Sequence, residues 1–209
     1  MVLFRVFERY FPWLLFILVI APFMIVFFAG GFFTPGSLYT IFPLFGIIAW
    51  SLMCTQYLTG ALRYSMPRRF GTHKWFARIS KVGILVSILL HPLLLILQRY
   101  LDTRTLPPVS LMTYIGDLRM YLIWIAVVAL VIFLSYTFLR PYRQALQKRN
   151  AWGYVSLIQA VAMILIFIHA LFLGNLFAEG WIRVWWIILN IILLPCYAVF
   201  IYRDFRRNI

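Results

Sequence analysis

An all-α fold, a polytopic membrane bundle of six transmembrane helices, is predicted by composition and by the length of the apolar runs. The chain of 209 residues is 65% hydrophobic and only 11% charged, whereas soluble domains carry about 25% charged residues. Six apolar runs, 11–31, 41–62, 75–98, 119–139, 152–176 and 182–202, each reach the ~20 residues that a helix needs to cross a bilayer. They use nearly the whole chain, so residues 1–209 are expected to form a single membrane domain with no room for a soluble one.

The first run follows Phe4-Arg5-Val6-Phe7-Glu8-Arg9 and contains Pro12 and Pro22. Its apolar core is longer than that of a cleaved signal peptide, which predicts a retained helix. Gly30, Gly31, Pro35 and Gly36 predict a short turn before the second span. That span carries Thr55 and Gln56, isolated polar groups expected to bond to a neighbouring helix. A basic loop over 63–74 leads to the third span, and a long connection over 99–118 holds Pro107, Pro108, Asp102 and Asp117. The fourth span returns to the basic stretch 140–149, and the fifth and sixth follow from Trp152 and Trp181. Trp75, Trp152, Trp181, Trp185 and Trp186 lie near span ends, where interfacial tryptophans are expected. Cys54 and Cys196 both fall inside apolar spans, as packing residues rather than a disulfide framework.

The net charge of +14 is unevenly placed. Of the nineteen Lys and Arg, all but Arg99, Arg104, Arg119 and Arg183 fall on one side of the six-span topology. The positive-inside rule then predicts that both termini face the cytoplasm. A basic skin of this kind suits anionic lipid headgroups, so membrane lipid is the expected partner and nucleic acid is not. The expected location is the cell membrane, multi-pass, read as a bacterial inner membrane.

Titratable groups at membrane depth are costly and point to function. The third span places His91 sixteen residues beyond Trp75, and the fifth places His169 seventeen beyond Trp152. Both spans run in the same direction, so both imidazoles lie roughly 25 Å along their helices. Two histidines at matched depth are a candidate pair of axial ligands for one haem iron. Below His91 the helical spacing brings Ser87, Gly83 and Ser80 onto one face, small groups that leave room for a flat macrocycle and that also let helices pack closely. Below His169 the same spacing gives Leu165, Ala162 and Ile158. His73, five turns before His91, is a weaker candidate metal ligand at the interface. No catalytic set of Ser, His and acid, and no phosphate-binding glycine loop, is present in the sequence.

The stretches THKWFARISKVGILVSILLHPLLLIL and RPYRQALQKRNAWGYVSLIQAVAMILIFIHALFLGNLF resemble the third and fifth helices of the ferric reductase-like transmembrane domain. That superfamily includes ferric reductases, NADPH oxidases and the haem-binding subunit of the periplasmic methionine sulfoxide reductase system. The resemblance covers about 40–180 and is carried most specifically by His91-Pro-Leu-Leu and His169-Ala-Leu-Phe-Leu-Gly. It implies b-type haem held by His91 and His169 and electron transfer toward an outer-face redox acceptor. The family's second histidine on the fifth helix falls at Ser156 here, and its inner histidine on the third helix falls near Ala77 and Arg78. One haem is therefore expected, with a second at an inner site involving His73 as the alternative. The flavin- and nicotinamide-binding domain of ferric reductases does not follow within the sequence, which ends at Ile209. A separate flavin reductase or membrane quinol is thus the expected electron donor. The competing expectation is a haem-free transporter or assembly scaffold whose histidines only bond between helices.

Overall fold

A computed structural model of the chain describes residues 2–32, 37–65, 74–115, 120–148, 151–177 and 180–206. Nearly all of them are helical, and no strand occurs among the described residues. The elements are α1 (Val2–Ala29), α2 (Leu38–Ser65), α3 (Lys74–Thr103), α4 (Val109–Ile115), α5 (Met120–Leu139), α6 (Arg143–Lys148), α7 (Trp152–Leu173) and α8 (Gly180–Arg206). Single 3-10 turns at Arg140–Tyr142 and Asn175–Phe177 lie beside α5 and α7. Six helices are long and apolar enough to cross a membrane. The chain is a multi-pass, all-α membrane protein.

The observed spans match the six apolar runs and extend beyond several of them. α3 passes through Pro92 and continues to Thr103, where Arg104 adopts a left-handed backbone (φ 55°). Much of the expected connection over 99–118 is therefore helix, completed by the short α4.

Two compact units form, Met1–Gly116 and Asp117–Ile209. In the first, α2 packs against both α1 and α3, and α4 lies against α3. The α2–α3 pairing is antiparallel in one register: Leu38 meets Gln98, Phe42 meets His91, Leu52 meets Gly83 and Gln56 meets Ser80. Edge-to-face aromatic contacts, Trp13 on Phe76 and Phe23 on Trp50, tie α1 to the same pair. α3 buries Phe76, Ser80 and Ser87 while exposing Val82, Val86, Leu89, Leu93 and Leu97. Apart from Phe76, small and polar inside and aliphatic outside is the pattern that suits a helix whose outer solvent is lipid.

In the second unit, α7 packs against α5 and α8. Its α5–α7 pairing is also antiparallel, with Tyr136 beside Trp152 and Leu122 beside His169. The core includes Leu122, Ala129, Phe133, Ala162, Met163, Leu189 and Leu193. Trp75 and Trp181 are exposed as interfacial residues should be, at 66% and 57%. Trp152 and Trp186 also lie near the starts of α7 and α8, but they are buried at 1% and 2%. Trp152 is covered by Tyr136 and by the Arg143 guanidinium, 5.3 Å from its ring, and Trp186 stacks on Phe177 and Phe167. Cys54 and Cys196 are buried, as expected of packing residues.

Candidate functional site

His91 in the first unit and His169 in the second are held in the same way. His91 Nδ1 lies 2.8 Å from the Phe42 carbonyl oxygen on α2, and His169 Nδ1 lies 3.0 Å from the Leu122 carbonyl oxygen on α5. A carbonyl only accepts, so each ring donates from Nδ1, and in the neutral form the lone pair is then on Nε2. This tautomer, fixed by a backbone carbonyl on the far side of the ring, is the form in which histidine ligates a metal. The two carbonyls occupy equivalent places as well. Each lies within the first turn or so of the preceding long helix, α2 or α5, at a sequence separation of 49 residues for His91 and 47 for His169.

Around His91 the local packing is specific. Its ring tilts against Phe42 with centroids 5.2 Å apart, and it lies over Gly46, one turn further along α2. Sequence reasoning missed Gly46, because a glycine in an apolar run gives no sign of what crosses it. Ser80, Gly83 and His91 all face α2, as their helical spacing requires, and Ser87 is buried on the same stripe. Ser80 accepts a 2.7 Å bond from Gln56 Nε2 and donates to the Phe76 carbonyl. Gly83 is approached by Leu52, whose Cδ1 would lie 3.0 Å from an added Cβ. Below His169, Ala162 is buried and Leu165 half-buried, whereas Ile158 is exposed.

Gln56 thus bonds to a neighbouring helix as expected. Thr55 instead donates its hydroxyl to Ser51 O within α2 at 2.8 Å, the back-bonding open to a Thr inside a helix. Gln159 is buried, and its Oε1 has no hydrogen-bond partner among the described residues. His73 lies outside the described residues.

Two polar clusters were not foreseen. Where α2 begins and α3 ends, Arg99 donates to the Ser110 carbonyl (3.0 Å), the Tyr39 hydroxyl (3.1 Å) and Thr113 Oγ1 (2.7 Å). Asp102 accepts there from Tyr39 and Gln98, so the cluster fastens α4 and α2 to the end of α3. The other cluster centres on Asp204, 2% exposed near the end of α8. Its Oδ1 accepts from Arg143 and Arg203, each at 3.1 Å, and its Oδ2 accepts from Ser156 Oγ at 2.6 Å. Ser156 thus serves a buried carboxylate. The only sequence hint was a single acid within the basic tail Arg203-Asp204-Phe205-Arg206-Arg207.

Among the described residues, no three His, Cys, Asp or Glu side chains gather to hold a metal ion. A haem iron takes only two ligands from side chains, so the fit of such a group rests on the donor chemistry of the imidazoles. With Nδ1 engaged by a carbonyl, each ring has Nε2 as the nitrogen that could serve such a group.

Compared with known proteins, the chain matches no family model, no curated protein and no solved structure.

Proposed function

We propose that this chain is a b-type haem-binding electron-transfer protein of the membrane, with His91 and His169 as the axial ligands. The observation that carries the reading is the shared anchoring of the two rings, each Nδ1 committed to a backbone carbonyl of an adjacent helix. Histidines that serve only as interhelical bonds have no need of equivalent tautomers at equivalent places in two hairpins. The resemblance of α3 and α7 to ferric reductase-like helices supports the same assignment.

The bound haem would supply one-electron chemistry. The chain's own part is to present two neutral imidazoles, to fix their orientation through Phe42 and Leu122, and to keep water from the ligands with apolar helices. Haem content is proposed as one per chain, because Ser156 is engaged by Asp204 at the place where an inner ligand would stand. Electrons would come from a separate flavin reductase or from membrane quinol and pass to an acceptor on the outer face. Ser87 and Gly83 enter the proposal as close-packing residues beside His91 rather than as direct contacts of the macrocycle.

Reduction of the purified protein with dithionite is expected to give split b-type absorption bands at one haem per chain. His91→Ala and His169→Ala should each abolish them, and His73→Ala should leave most of the signal. A protein without these bands, or one that keeps them after loss of either histidine, returns the chain to the haem-free transporter or scaffold reading.

A further inference from the structure

The anchoring of His91 depends on an absence. A Cβ added at Gly46 would lie 3.0 Å from both Cε1 and Nδ1 of the imidazole and 3.6 Å from Cγ. Comfortable separations between packed carbon atoms are about 3.5–4.0 Å. The ring therefore rests directly on the α2 backbone, in space that any other residue would fill. Helical geometry explains why position 46 matters. Cβ atoms tilt toward the helix N-terminus, so a side chain at 46 would stand over the carbonyl of residue 42, one turn earlier. That carbonyl is the one His91 uses.

We infer that Gly46 is a positioning residue for the His91 ligand. It keeps open the approach of the imidazole to the carbonyl that orients it. This inference rests on the haem reading above, and it adds that a small residue on α2, outside the histidine helix, sets the ligand geometry.

The test uses the full chain in detergent, titrated with hemin, in four variants: Gly46→Ala, Gly46→Val, His91→Ala and Gly153→Ala. The last is a packing control sixteen residues before His169 on α7, where a Cβ would press on the Phe205 ring at 2.6–2.7 Å. Gly46→Val is expected to weaken hemin binding on the order of tenfold or more, the usual effect of losing a group that orients a metal ligand. Gly46→Ala should retain haem while shifting the low-spin electron paramagnetic resonance g-values, which report ring orientation. Gly153→Ala should lower the melting temperature with wild-type spectrum and affinity. If His91→Ala loses haem while both Gly46 variants keep wild-type affinity and g-values, the positioning role is wrong and the haem reading stands. The positioning role is equally overturned if Gly153→Ala weakens binding as much as Gly46→Val. If His91→Ala retains haem, the haem reading itself fails. Should Gly46→Val not fold, the g-values of Gly46→Ala decide.

Discussion

Asp204 shows how much one residue can hold in a chain with so few acids. Only five Asp and Glu oppose nineteen Lys and Arg, yet one carboxylate is almost fully buried and gathers Arg143, Arg203 and Ser156. Burying that charge is tolerable because two guanidiniums and a hydroxyl replace its water. Removing it strands the partners: Arg143 is partly exposed at 36% and rehydrates, but Arg203 is covered at 19%. Asp204→Ala is therefore expected to cost about 2 kcal/mol, below the range for a fully buried pair because one partner reaches solvent. Thermal unfolding in detergent checks this, and Arg143→Gln should cost less than Asp204→Ala. Ser156→Ala removes a single bond to the same carboxylate, so its effect should be smaller again.

At the scale of the element, the α2–α3 hairpin is set by small residues rather than by a hydrophobic stripe. Lipid offers apolar side chains as good an environment as another helix does, so close backbone approach and a few polar bonds decide pairing. Gln56 on Ser80, Leu52 on Gly83 and His91 on Gly46 fall in one antiparallel register. Gly83→Leu would overfill the place that Leu52 now occupies, and such overpacking costs typically 1–3 kcal/mol. We expect about 2 kcal/mol here, read as a lower melting temperature of the detergent-solubilised protein. Gln56→Ala should cost much less, about 0.6 kcal/mol, the average for a polar contact between membrane helices. The inverse ranking would mean that polar bonds, not close approach, hold the hairpin.

For the whole molecule, six spans and the asymmetry of basic residues lead to a topology that is open to direct measurement. With an even number of crossings both termini would share one side, which the positive-inside rule predicts to be the cytoplasm. A fluorescent protein fused after Ile209 should fold and fluoresce, whereas an alkaline phosphatase fused there should stay inactive. The opposite pair of results would reverse the topology and place the proposed haem on the cytoplasmic half. Haem stoichiometry belongs to this scale too: a value of two per chain would require an inner site that the Ser156–Asp204 pair does not provide.

What the sequence by itself determined is the class of the molecule and the extent of its spans. Bilayer thickness fixes helix length, and a charge-poor run of about twenty residues has no other stable solution than a helix. The same count put His91 and His169 at equal distances along their helices. Tertiary structure alone decided which carbonyl holds each ring, that Gly46 lies beneath one of them, that Ser80 and Gly83 face α2, and that Trp152 and Trp186 are buried. Those facts depend on how helices meet between residues far apart in the chain, such as the 49 positions from Phe42 to His91. Local periodicity shows which residues share a face. It carries no information about the helix on the other side of that face, and the orienting bonds are made there.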